Sequence, residues 1–353
     1  MLGHVTKRAR TIAAAAVATA SVAALSACHP GSAASGASSG GGASDFKGKT
    51  VTLIVPDKPG GSYDTYARLF APYVAKNLGA TINIENIPGG GTLQGSNRMA
   101  ASPADGTTIG MVNVGGDVAS QVEKNPGQSF DMKKISWIGQ PAQVPNAVVT
   151  QPGSKVTSFD SLLRSKSTVH VLDIRNGVGD MLNRVVFGAF GIPHSLDTGF
   201  EHTSDLKQGF IAKDGQVIQE AMSTLYPLIA GHEATPLLVV GTPGASYAKA
   251  LSGVPTLQSE LAKARLSSSQ SAAVKEALAL GNLADDFAAP PGLPPKDLTV
   301  LRQAFAKAAA DPALRKGAAK QSLPVSWTDG ATTRGQVIQA LSASPAIAPY
   351  VNK

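Results

Sequence analysis

The stretch VTLIVPDKPGGSYDTYARLF, residues 51–70, sets the fold class. Val51 to Val55 is a short run, apolar on both faces, as in a strand buried within a parallel sheet. It stops at Pro56, and from Ser62 the period changes: Tyr63, Tyr66, Ala67, Phe70, Ala71 and Val74 fall on one stripe of a helix. Between them lie Pro59, Gly60 and Gly61, and Ser62 is placed to cap the helix. A strand that passes through glycines straight into a helix leaves backbone N–H groups open at the positive end of a helix dipole, a ready place for an anion. A tight loop that needs glycine for its backbone angles reads the same way, so this stretch alone leaves both open.

The construction returns in VHVLDIRNGVGDMLNRVVFGAFGI, residues 169–192. Val169, Val171 and Leu172 make the strand, Arg175 to Asp180 the glycine turn, and Met181, Val185, Phe187 and Phe190 the apolar helix face. Two such turns suit a ligand held between two halves, each supplying backbone donors. The plainer alternative is that any α/β protein contains several.

Met1 to Cys28 has a basic start (Lys7, Arg8, Arg10), an apolar run from Ile12 to Leu25 and small residues before the cysteine. This is the layout of a secretory signal, too short and alanine-rich for a membrane-spanning helix. Its end, Leu25-Ser26-Ala27-Cys28, is similar to the lipobox of bacterial lipoproteins, in which the cysteine carries lipid and becomes the new N-terminus. Cys28 is the single cysteine of the 353 residues, so an exported fold here holds without disulfides. Residues 28–44, rich in Gly and Ser, read as a flexible tether after a signal peptide of residues 1–27. The formal charge of +7 includes Lys7, Arg8 and Arg10; removing those three leaves +4. No basic run interleaved with aromatics occurs, so a nucleic-acid surface is not indicated.

Along the body, apolar runs alternate with helical patterns, the mark of an α/β fold with mainly parallel strands. Strands are expected near 51–55, 81–85, 107–113, 135–138, 146–150, 168–173 and 236–241. Helices are expected near 62–78, 92–101, 158–164, 179–190, 204–210, 271–281, 295–309 and 332–342. The echo of GQVIQE (215–220) in GQVIQA (335–340) is too short to mark a repeat.

Catalytic patterns are missing. No G-x-S-x-G elbow stands at a strand-to-helix turn (GASSG, 36–40, falls in the Gly/Ser tether), HEATP (232–236) lacks the second histidine of a zinc protease, and the six histidines are scattered. IPGGGTLQG (87–95) has neither the dinucleotide nor the phosphate-loop spacing. No enzyme, cofactor or metal is therefore expected.

Taken in order, the PxxPGGxxD turn (Pro56, Pro59, Gly60, Gly61, Asp64), Arg68, IENIPGGGT, PADGTTIG, RNGVGD, GQVIQEAMSTLYPLIAG, SGVPTLQSEL and FAAPPGLPPKDLTVLRQAFAKAAADPALRKGAA cover nearly all of the chain after residue 48. Their order and spacing resemble the tripartite tricarboxylate transporter solute receptors of the TctC or Bug type. The resemblance implies a two-lobed clamshell of the periplasmic-binding-protein kind (type II), each lobe a mainly parallel sheet flanked by helices. It implies an extracytoplasmic, lipid-anchored monomer that binds a small carboxylated solute and delivers it to a membrane permease. A receptor that signals to a sensor kinase is the alternative, and an exported hydrolase a more distant one. Lobe 1 is expected from residues 45–145 plus 249–353, and lobe 2 from 146–248.

Carried across residue by residue, the resemblance puts the first ligand turn at Lys58, Gly60, Gly61, Ser62, Tyr63 and Asp64, and a second loop at Asn113, Gly115 and Gly116. The second-lobe turn comprises Arg175, Asn176, Gly177, Val178, Gly179 and Asp180. Asp64 is expected to orient its turn rather than to meet an anion, because two carboxylates repel. The chain departs from the family pattern at Asp57 and Lys58, and at Arg175 and Asp180. Either Arg175 grips a carboxylate and Asp180 a hydroxyl or ammonium, or the two pair with each other or with Asp57 and Lys58.

Overall fold

The computed structural model describes residues 46–283 and 285–351; the expected signal peptide, Cys28 and the tether lie outside the described residues. The chain begins with β1 (Thr50–Val55), α1 (Ser62–Leu78), β2 (Thr81–Asn86), α2 (Leu93–Ala100), β3 (Thr108–Asn113), α3 (Val114–Val122) and β4 (Ser136–Gln140). It crosses into β5 (Asn146–Thr150), α4 (Phe159–Leu163), β6 (Val169–Ile174), α5 (Val178–Phe190), β7 (His194–Phe200), α6 (Thr203–Ala212), β8 (Val217–Ala221), α7 (Met222–Ala230) and β9 (Thr235–Val240). It returns through α8 (Leu257–Lys263) and α9 (Ser268–Gly281) to β10 (Asp285–Ala289), α10 (Pro295–Ala310), α11 (Pro312–Lys320), β11 (Thr328–Asp329), α12 (Gly330–Ala343) and α13 (Ala348–Val351).

Two sheets result, ordered β11-β4-β10-β3-β1-β2 and β7-β6-β8-β5-β9. β1 runs parallel to β2 and β3, and β6 parallel to β7 and β8. β10 is antiparallel to β3 and β4, and β5 is antiparallel to β8 and β9. The sheets are thus mixed, where mainly parallel strands were expected. The physical reason is the crossing: β5 is the first strand of the second sheet after the chain leaves β4, and β10 is the first strand after the return. Each enters at the edge where its neighbours end, so it must run against them.

Burial explains why the C-terminal part returns to the first sheet. Phe70 of α1, Phe287 of β10 and Phe305 of α10 are buried together, with ring centroids 5.3 Å (Phe70–Phe287) and 4.5 Å (Phe287–Phe305) apart. Losing one such ring to alanine costs about 3–5 kcal/mol, enough to hold a distant segment in place. On the second sheet Leu172, Phe210, Ile218 and Leu225 form a separate buried layer. A third cluster joins Ile54 and Val112 of the first sheet to Val148 and Val171 of the second through α5 and α9. α8 and α9, C-terminal to the expected boundary at residue 248, lie against β9 and α5 of the second sheet. Among the described residues no helix is long and apolar enough to cross a membrane.

Candidate functional site

The first glycine turn is built around Asp64. Gly60 sits at φ +90°, a region that favours glycine, and its N–H donates to Asp64 Oδ2 at 2.9 Å. Arg68 Nε donates to the same oxygen at 2.7 Å and Asn86 Nδ2 to Oδ1 at 3.0 Å. Burial, the largest influence, pushes this carboxyl up, but Arg68, the Gly60 amide and Asn86 together hold it below the ordinary range. Gly61, in extended conformation, occupies the cap position of α1, and no side chain caps the helix. Ser62, expected as the cap, is instead the first helical residue, which leaves the first-turn amides open.

The second turn repeats this. Gly177 is extended at the start of α5 with no side-chain cap, and Asp180 Oδ2 accepts from the Asn176 N–H at 3.4 Å. Arg184 Nε donates to Asp180 Oδ1 at 2.6 Å, so Asp180 pairs within its own helix rather than with Arg175. Arg175 is exposed, with its backbone carbonyl against Gly91. Lys58 pairs with Asp205 of α6 at 3.3 Å, and Asp57 faces His202 at 3.6 Å. Both contacts run from the first-sheet turn to the second-sheet side.

Between the turns lies a cavity of about 80 Å³. The strand registers explain its walls: Asp285, opening β10, pairs with Asn113 at the end of β3, and Asn146, opening β5, pairs with Ala221 at the end of β8. The carboxyl ends of parallel strands and the starts of antiparallel ones therefore meet at one crest, the usual place for a ligand in an α/β protein. Ser62, Tyr63, Asn113, Gly177, Val178 and Gly179 of the expected site line the cavity. Lys58, Gly60 and Gly61 line an adjoining chamber of about 290 Å³, together with Ser62, Asp57 and Lys207.

Asp64, Gly115, Gly116, Arg175, Asn176 and Asp180 line neither space. For Gly115 and Gly116 the reason is close packing. A Cβ on Gly116 would lie 2.8 Å from the Asn176 carbonyl, and one on Gly115 would lie 2.8 Å from Val178 Cγ2. These glycines let α3 meet the second-lobe turn.

The sequence reading omitted most of the acidic wall. Asp57 and Asp173 are buried, Glu220 and Asp285 are half-buried, and Glu201 is exposed at the rim, all lining the cavity. Burial pushes Asp57 up, Asp173 well up, and Glu220 and Asp285 up to about 7. Asp173 is satisfied by Asn183 Nδ2 and by the Ile174 N–H at 2.6 and 2.8 Å. Gln219, wholly buried, has no hydrogen-bond partner at either side-chain amide atom, and Asn146 none at Oδ1. An unmet buried amide costs about 1–3 kcal/mol, which a polar group entering the cavity would relieve. The signal for Asp57, Asn146 and Asp173 was available: they sit at the ends of expected strands. No group of three or more His, Cys, Asp or Glu residues suited to a metal occurs among the described residues.

No protein-family model matches the chain. BugT of Bordetella pertussis is 30% identical over 125 residues, 34% of this chain and 37% of the relative. A UPF0065 protein of the same organism is 28% identical over 204 residues, 54% of this chain and 59% of the relative. The chain thus spans less than two thirds of these curated relatives' length. Three solved structures match almost from end to end. A TctC solute-binding protein from Polaromonas gives a TM-score of 0.62 at 16% identity, covering 85% of this chain and 98% of that one. The periplasmic binding protein BugD gives 0.69 at 17%, covering 87% and 98%. MatC of Rhodopseudomonas palustris, with bound malate, gives 0.66 at 19%, covering 86% and 99%. At these identities the structural likeness is one of fold, and the first two are named as binding proteins, not enzymes. In sequence a relative of the Bug and UPF0065 proteins, this chain has the two-lobed periplasmic-binding-protein fold of the TctC/Bug solute receptors.

Proposed function

We propose that the protein is an extracytoplasmic, lipid-anchored receptor that captures a small carboxylate-containing solute between two lobes and delivers it to a tripartite tricarboxylate-type permease. The two lobes are taken as residues 45–145 plus 249–353 and residues 146–248, with α8 and α9 of the first set packing back onto β9 and α5 of the second. The observation that carries this reading is the meeting of two helix starts, α1 and α5, neither capped by a side chain, at one cavity from opposite sheets. Open first-turn amides at the positive end of a helix favour a carboxylate without a lysine or arginine. The malate bound by MatC, a neighbour in fold, is of the same chemistry. Capture proceeds by hinge closure, with no bond made or broken.

Thermal melting against mono-, di- and tricarboxylates, hydroxy acids and amino acids tests it. A true ligand at about 100 times its Kd stabilises by roughly 2.7 kcal/mol, a rise of a few degrees. Gly177→Val should abolish the shift, because its Cβ would lie 2.9 Å from the Ile174 carbonyl. A panel in which neutral compounds bind and no carboxylate does would refute the reading.

A further inference from the structure

The acidic wall bears on which carboxylates fit, and the inference drawn from it rests on the solute-receptor reading of the same site. Asp57, Asp173, Glu201, Glu220 and Asp285 line the inner cavity, and among its described lining residues there is no lysine or arginine. The cations of the neighbouring turns and of α6 stand outside it: Lys58 and Lys207 line the adjoining chamber, Arg68 and Arg184 are tied to Asp64 and Asp180, and Arg175 is exposed and lines neither space. His202 faces the cavity but is set against Asp57.

A solute bearing only carboxylates would bring further negative charge to this wall and leave it unneutralised, which the low-dielectric setting penalises. Asp173 accepts from Asn183 and Ile174, Asp57 accepts from the Lys58 N–H at 2.8 Å and faces His202, and Asp285 accepts from Tyr63 and Ser62; a carboxylate offers about four acceptor sites, so Asp57, Glu220 and Asp285 keep room for a further donor. Asp57, Glu220 and Asp285 line the same cavity of about 80 Å³, from the first glycine turn, the end of β8 and the start of β10. Beside them the unpartnered Gln219 amide and the unpartnered Asn146 oxygen supply acceptors and donors suited to an N–H-rich group.

We infer that the solute carries a positively charged nitrogen in addition to its carboxylate, the nitrogen held by Asp57, Glu220 and Asp285 with Asn146 and Gln219, the carboxylate by the amides at the starts of α1 and α5. The ligand class is a small zwitterion such as an amino acid, rather than a plain di- or tricarboxylate. The two turns and the acid cluster then divide the work: helix starts for the anion, strand ends for the cation.

The test uses matched pairs on the purified protein, by thermal shift and calorimetry: aspartate against succinate, alanine against propionate, 4-aminobutyrate against butyrate, with butylamine as the amine alone. At least one nitrogen-bearing acid should bind 100-fold or more tighter than its nitrogen-free partner. Glu220→Gln and Asp285→Asn, checked for unchanged folding by circular dichroism, should weaken that zwitterion at least tenfold and leave the nitrogen-free partner unweakened. Nitrogen-free acids that bind as well or better overturn the inference and leave the carboxylate receptor standing. Binding of butylamine with no acid bound overturns both. A panel in which no zwitterion binds, or variants that weaken both members of a pair equally, also overturns the inference.

Discussion

Asp64 and Asp180 hold the same post in the two halves of the molecule. Each is the third residue of a helix that follows a glycine turn, accepts the amide four residues before it, and pairs with the arginine four residues after it. In both turns the carboxylate faces the turn's own backbone, so the remaining helix-start amides stay free for a ligand. Asp64→Ala removes three accepted hydrogen bonds from a buried site. Charge-assisted bonds are worth about 1.5–3 kcal/mol, with Arg68 itself half in solvent adding little. Urea unfolding should show a loss in that range, and a smaller one for Asp64→Asn. A loss under about 0.5 kcal/mol for the alanine variant would show that the turn holds without its carboxylate.

Closure should depend on Gly116. A Cβ on this residue would meet the Asn113 side-chain amide, which must shift, and would stand 2.8 Å from the backbone carbonyl of Asn176 in the second-lobe turn, which has less room to give. Gly116→Ala should therefore keep the lobes apart, lowering ligand affinity tenfold or more and leaving the radius of gyration large at saturating ligand. Wild-type protein should become more compact under the same conditions. Equal affinity in the variant would mean that α3 and the turn do not need to meet.

The sequence showed the strands that carry their own apolar period and hid those made by their neighbours. β1, β5 and β9 are Val-, Leu- and Ile-rich and formed where expected. β10 is Asp-Asp-Phe-Ala-Ala, with little strand propensity, and exists because β3 and β4 pair with it on both sides. β8 was hidden for a related reason: GQVIQE holds part of a strand, whereas GQVIQA lies inside α12, so tertiary context decided between them. Asp285, Gln219 and Glu220 stand on these hidden strands, and the acidic half of the site was lost with them. The helix starts were legible because glycine and a change of period mark them locally.

Anchoring rests on Cys28, in the LSAC sequence that ends the basic and apolar leader. Cys28→Ser should move the protein from the membrane fraction to the soluble one, or leave an uncleaved precursor. A normally processed product that stays with the membrane would end the lipoprotein reading. The measurement is fractionation with an immunoblot, and mass spectrometry of the N-terminus distinguishes the two outcomes.

The last prediction concerns pH and follows from the acidic wall. Burial raises Asp57 and Asp173 and takes Glu220 and Asp285 to about 7, against an ordinary carboxyl value near 4. Between those values the folded protein binds more protons than the unfolded chain, so stability falls as pH rises from about 4 through about 7. Asp64 and Asp205 are shifted the other way; their contribution is complete above the ordinary value and is lost only in stronger acid, outside this window. The groups acting on the cluster include His202, beside Asp57, Tyr63, bonded to Asp285, and Lys207 of the adjoining chamber, whose charge lowers Glu220. Since Glu220 and Asp285 are half-buried, water screens part of the effect, and the ligand-free melting temperature should drop by a few degrees, roughly 2–5 °C, from pH 4.5 to 7.5. Glu220→Gln keeps His202 and Lys207 in place and should flatten the slope by raising stability at pH 7.5. A bound cation should flatten it too, because it stabilises the ionised wall. A melting temperature that rises across this window, or a slope unchanged by Glu220→Gln, would show that the carboxyls are ionised at no cost.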